Sequence, residues 1–121
     1  MSTTIKVAPP HSIILIVDVT RGDVPDVTRT GIFWATDSCL VVGTFSSSDG
    51  ETEISMAHGA AAENLGAPSF DVYLETPSKV VVIVTTDEET IYQAAVKETR
   101  TRVRVWINHP TEPDKIDIVF D

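Results

Sequence analysis

Apolar and polar residues alternate along most of this chain with the two-residue period of β-strands. Phe70, Val72 and Leu74 point one way and Asp71, Tyr73 and Glu75 the other, the pattern of a half-buried antiparallel strand. Residues 102–108 and 115–120 alternate likewise, which sets Val103, Val105 and Ile107 in register against Ile116, Ile118 and Phe120 across a polar loop. Residues 13–17 are apolar without a break and β-branched, which suits a strand buried on both faces; residues 79–85 form a second dense run. Residues 32–36 and 40–45 are two more strands, separated by the polar Asp37-Ser38. Asp49-Gly50 readily takes the positive φ angles of a type I′ turn, so residues 52–56 are expected to return as the hairpin partner of residues 40–45.

Two places read as helix. Thr86 can cap free backbone N–H groups while Glu89 reaches back, and Asp87 and Glu88 suit the positive end of a helix. Ile91, Tyr92, Ala95 and Val96 would then share one face, up to about Lys97. Residues 60–65 could close one helical turn, with Gly66 as its C-cap and Pro68 preventing continuation. About eight short strands at a spacing of roughly 8–14 residues, with so few helices to cover them, imply two packed sheets. The expected fold is all-β or mainly β: a two-layer antiparallel β-sandwich of about eight strands with at most one or two short helices, residues 1–121 forming one domain.

Composition agrees with a globular chain. Of 121 residues, 42% are hydrophobic and 22% charged, so a core can form without a metal or disulfide. The one cysteine, Cys39, cannot make an intramolecular bridge, which suits a reducing compartment. Residues 1–6 lack the basic start and apolar stretch of an export signal, and residues 13–17 are too few to span a bilayer. A cytoplasmic location is therefore expected. Lys and Arg total 9 against 18 Asp and Glu, a formal net charge of -9. That field repels nucleic acid and anionic lipid and speeds encounter with a cationic partner.

No residue pattern points to catalysis, a metal or a cofactor. His11, His58 and His109 lack metal-ligand spacing, and Asp18, Asp23 and Asp26 are too sparse for a calcium loop. Cys39 has no flanking base, Ser46-Ser47-Ser48 is not a nucleophile elbow, and there is no phosphate-binding glycine motif. Lys97, Arg100, Arg102 and Arg104 concentrate positive charge before Trp106; these arginines are expected to answer carboxylates of a neighbouring strand, such as Asp117. The negative charge clusters at Asp49, Glu51 and Glu53, and again at Asp87, Glu88 and Glu89.

Residues 26–45, with Gly31, Phe33-Trp34 and Val42-Gly43-Thr44, resemble the front of the competence protein J family of small nuclease inhibitors. Phe70, Val72 and Leu74 followed by residues 80–85 repeat that family's order of a phenylalanine strand, a turn and a β-branched strand. Departures are Val27 where the family carries an aromatic, Arg100-Thr101-Arg102 in place of a Gly-x-Tyr turn, and residues 60–65 as a variant loop. The resemblance implies an acidic β-sandwich without activity of its own that blocks a basic, nuclease-like protein. Its expected contact residues are Asp49, Glu51, Glu53, Asp87, Glu88 and Glu89, with Trp34 and Trp106 as aromatic anchors if exposed. One of Phe33 and Trp34 should face the core, since strand neighbours point opposite ways. Two other classes stay open: a ligand- or carbohydrate-binding sandwich, marked by an exposed Trp106 beside Asp117 and Arg104, and a structural homo-oligomer.

Overall fold

The computed structural model describes residues 2–20, 22–28, 31–46, 48–59 and 65–120. Among these described residues ten strands are formed: β1 (Ser2–Val7), β2 (Ile13–Asp18), β3 (Phe33–Ala35), β4 (Cys39–Gly43), β5 (Thr52–His58), β6 (Phe70–Glu75), β7 (Val80–Val84), β8 (Thr90–Ala95), β9 (Arg100–Ile107) and β10 (Lys115–Phe120). They make two five-stranded sheets, in the order β1-β5-β10-β9-β6 (sheet A) and β3-β4-β2-β7-β8 (sheet B). All neighbours run antiparallel except β5 and β10, which are parallel. The eight expected strands are all present. The register read from β9 and β10 holds, with Ile107 opposite Ile116, Val105 opposite Ile118 and Val103 opposite Phe120.

The sheets close on an apolar layer supplied by alternate residues. Ile14, Ile16, Leu40, Val42, Val81 and Ile83 of sheet B meet Ile54, Met56, Leu74, Val103, Val105, Ile116, Ile118 and Phe120 of sheet A. Strands β2, β4 and β7 are apolar on the other face as well, where Val17, Cys39, Val41, Val82 and Val84 form a second buried cluster. This explains the unbroken apolar run at residues 13–17. Residues 22–28 run along that outer face, and hydrogen bonds tie them to the turn between β3 and β4. Asp23 N donates to Ser38 Oγ (2.8 Å) and Thr36 Oγ1 to the Asp23 carbonyl.

Two expectations change. Residues 86–97 are not a helix. Glu88 N donates to the Thr85 carbonyl (3.0 Å) and Thr85 N to the Glu89 carbonyl (3.0 Å), closing a hairpin loop with Glu88 at φ 63°. The chain then pairs along β7 as β8, with one register shift at Ile83/Val84. A helix of some twelve residues is marginal by itself. The open edge of β7 satisfies the same backbone groups, and Ile91 and Tyr92 reach the core from a strand just as well. Asp49-Gly50 likewise does not join a hairpin, because β4 lies in sheet B and β5 in sheet A; the turn carries the chain between layers. The expected helical turn at 60–65 falls largely outside the described residues.

Asp18, at the end of β2, is buried and fully used. One carboxylate oxygen accepts from Thr20 N (3.0 Å) and Thr20 Oγ1 (2.6 Å), the other from Ser78 N (3.0 Å), tying β2 to the β6–β7 turn. Burial alone would raise its pKa, but the Thr20 and Ser78 hydrogen bonds outweigh that and hold it below the ordinary 3.8. Asp18→Ala strands these donors and is expected to cost about 1–3 kcal/mol, read as a lower urea midpoint. A depressed carboxyl stabilises the fold only while ionised. The gap between wild type and variant should therefore persist above pH 3.8 and close as pH falls through the lowered native value.

Candidate functional site

The two acidic clusters, 38 residues apart when counted from Asp49 to Asp87, lie at the same end of the sandwich. Gly43, the last residue of β4, pairs with Ile13, the first of β2; Val84, the last of β7, pairs with Leu15. The 44–51 connection and the 85–89 hairpin therefore leave one edge of sheet B, on either side of β2. The strand ends they leave are two strand spacings, roughly 10 Å, apart. Sheet A meets them there, because Phe45 N donates to the Pro113 carbonyl (2.8 Å) and Glu53 N to the Asp114 carbonyl (2.8 Å). The β9–β10 loop thus adds Glu112 and Asp114, which a reading of charge clusters along the sequence passes over. Only the strand order could have revealed them.

The carboxylates are not equivalent. Asp49, Glu51, Asp87, Glu88 and Glu89 are exposed. Glu53 is half-buried on the outer face of sheet A, 3.9 Å from Lys115 Nζ and opposite Lys6 in register. A polar cavity of about 350 Å³ lies among Lys6, Glu51, Glu53, Asn108, Asp114 and Lys115. The lysines of this end thus face Glu53 and leave the outer carboxylates to dominate the rim. At the opposite end, Asp23, Asp37, Glu75 and Glu98 are interleaved with Lys79, Lys97 and Arg100. Among the described residues, the 44–51 end is the more uniformly negative.

The aromatic residues divide differently from the carboxylates. Phe33 faces inward and stacks on Phe70 at 4.7 Å, so it is the core member of its pair. Trp34 faces outward, half-buried against the outer cluster of sheet B, with Nε1 donating to Thr28 Oγ1 (3.1 Å). Trp106 is only 9% exposed; it packs on Val119 and donates Nε1 to the Gly66 carbonyl (3.2 Å). The exposed Trp106 that would mark a carbohydrate groove is therefore not found. Within the arginine stripe, Arg102 answers a carboxylate, on β6 rather than β10. Arg102 makes a two-pronged contact with Asp71 (3.0 and 2.6 Å), and Arg100 lies 4.8 Å over the Tyr73 ring. Arg104 stacks toward Trp106 at 5.8 Å. Asp117 lies opposite Trp106, where burial pushes its carboxyl above the usual range against the pull of Lys115.

The remaining candidates have local structural roles. Burial raises the Cys39 thiol to about 11, which leaves it an inert core residue. His109 Nδ1 accepts from Thr111 N (3.2 Å) and Glu112 N (3.0 Å), holding the β9–β10 loop. Among the described residues no three His, Cys, Asp or Glu side chains gather to hold a metal, and no helix is long and apolar enough to cross a membrane.

Comparison with solved structures places this geometry. The fold is similar to that of ComJ. That protein, from Bacillus subtilis, is described as the inhibitor of the DNA degrading activity of NucA; the alignment covers 99% of this chain and 96% of ComJ at a TM-score of 0.66. Identity is 9%, so the likeness is one of fold. A second structure, described as crocagin biosynthetic gene J, aligns over 98% of this chain and 94% of its own at 15% identity and a TM-score of 0.51. No family model and no curated protein matches the sequence. The β-sandwich expected from the competence J resemblance is present, and ComJ shares it over nearly its whole length.

Proposed function

We propose that this protein is a non-catalytic binding module that covers a basic surface of a nuclease-like partner, presenting Asp49, Glu51, Asp87, Glu88 and Glu89 from one end of the sandwich. The observation that carries the reading is that the two acidic clusters sit on separate connections that leave the same end of sheet B. The ComJ fold, whose Bacillus subtilis example inhibits the DNA degrading activity of NucA, supports the choice of partner class. A DNA-degrading enzyme must offer positive charge to phosphates, and a rigid set of carboxylates competes for the same charge. Complementary fields speed association, and salt weakens them over a Debye length of about 8 Å at physiological strength. Glu53 acts from behind the rim, pairing with Lys115.

The test is capture from a lysate of the cells that encode the protein, at low and at high salt. A basic protein retained at low salt and released at high salt, whose DNA degradation falls when this protein is added, is the expected result. Capture of no basic protein at low salt would sink the reading.

A further inference from the structure

Beside the acidic rim, the outer face of sheet B carries an apolar groove of about 360 Å³, lined chiefly by Ile13, Leu15, Val24, Val27, Val41 and Val84, with Glu88 at its mouth. Trp34 stands next to it, opposite Val41 in register and pinned by Thr28. Among the described residues the large apolar side chains left exposed are Val19, Val24, Val27, Leu65 and Tyr73, and the first three share the one segment that borders this groove. Val24 and Val27 are 59% and 44% exposed. Such a concentration beside a charged rim is how a binding surface differs from scattered surface valines. Glu88, held at φ 63°, is the one charged residue among the described residues that line the groove.

We propose that this groove anchors the partner interface: it takes one apolar side chain of the basic partner, while Glu88 pairs with the lysine or arginine beside that side chain. The inference rests on the proposed function and adds the site of closest contact. Charge complementarity selects the occupant. The chain carries a net charge of -9, and Glu88, which lines the groove, stands in the chain between the exposed Asp87 and Glu89, so an apolar group arrives most favourably on a cationic carrier. Interfaces of this kind draw most of their affinity from one or two apolar anchors inside a polar rim.

The probes are two pentapeptides, Arg-Leu-Arg-Phe-Arg and Arg-Ser-Arg-Ser-Arg, titrated at low salt into the full protein and followed by NMR. The first is expected to shift the methyl signals of Ile13, Leu15, Val24, Val27, Val41 and Val84; the second should move only amides at the acidic end. Val27→Asp should abolish the methyl response and leave the second peptide's amide shifts in place. Glu88→Gln should weaken the first peptide about threefold, as expected for one exposed ion pair. Glu88→Gly should weaken it equally while raising Tm by about 2–4 °C through relief of the left-handed strain, a combination that a merely structural Glu88 would not give. If both peptides shift only the amides of Asp49 and Glu51, the anchor is overturned and the acidic surface stands. Failure of both peptides to bind overturns both readings. Methyl shifts on dilution of the protein alone would instead assign the groove to a second copy, and unchanged binding by Glu88→Gln would remove the ion pair; either result overturns the proposal as stated.

Discussion

Phe120→Ala is expected to lower the unfolding free energy by about 3–5 kcal/mol, a large share of the roughly 5–15 kcal/mol that holds a domain together. Phe120 ends β10, which lies between β5 and β9 near the middle of sheet A. Its ring is fully buried, stacked at 6.4 Å on Tyr92 from sheet B and tilted against His58 at 6.3 Å. Removing it opens a cavity where the layers meet, between β5 and β9 on one side and Tyr92 of β8 on the other. Phe120→Leu keeps most of the volume and should lose less than half as much. Urea denaturation of the three proteins measures both differences. An alanine variant within about 1 kcal/mol of wild type would mean that β10 does not close the sandwich as described.

The second large effect concerns binding. A fourfold neutralisation, Asp49→Asn, Glu51→Gln, Asp87→Asn and Glu89→Gln, is expected to weaken capture of the basic partner about 10–100-fold at low salt, mainly through slower association. All four side chains are exposed, so the fold should be untouched. Asp23→Asn, Asp37→Asn, Glu75→Gln and Glu98→Gln remove the same charge from the opposite end and serve as the control. That set should weaken binding less than about threefold, since the sandwich puts those groups beyond a Debye length from the rim. Equal losses from both sets would show that net charge matters and the end does not. Association rates measured at two salt concentrations separate these outcomes.

Much of the fold is legible in the sequence because periodicity reports burial directly. β6, β9 and β10 each carry one apolar face, and β2 and β7 carry two; the residues say so without further help. What sequence periodicity does not report is which strands pair at a distance. β1 escapes notice because it is an edge strand whose only substantial apolar side chains, Ile5 and Val7, are half-buried; it exists by pairing with β5, some fifty residues on. β8 is mistaken for a helix because a tight turn and a helix start use the same residues. Thr85 Oγ1 accepts from Glu89 N (3.4 Å) across the turn instead of capping a helix. The open edge of β7, rather than any local preference, decides between them.

The candidate site divides along the same line. The acidic clusters are visible as runs of Asp and Glu, but their convergence depends on β2 standing between β4 and β7, a fact of topology. Trp106 looks like an anchor in sequence, since alternation places it on the outer face with Arg104. Instead its ring packs on Val119, its Nε1 donates to the Gly66 carbonyl, and little of it is left exposed. Val24 and Val27 look like unremarkable loop residues until the outer face of sheet B proves apolar beneath them.

The central claim is that this chain acts by covering a basic surface, and a stoichiometric titration tests it most directly. Purified protein is added at low salt to the DNA-degrading protein it captures, and DNA cleavage is followed. Cleavage should fall to completion near one equivalent of wild type and persist with the fourfold neutralised variant. Undiminished cleavage in excess wild-type protein would contradict the claim.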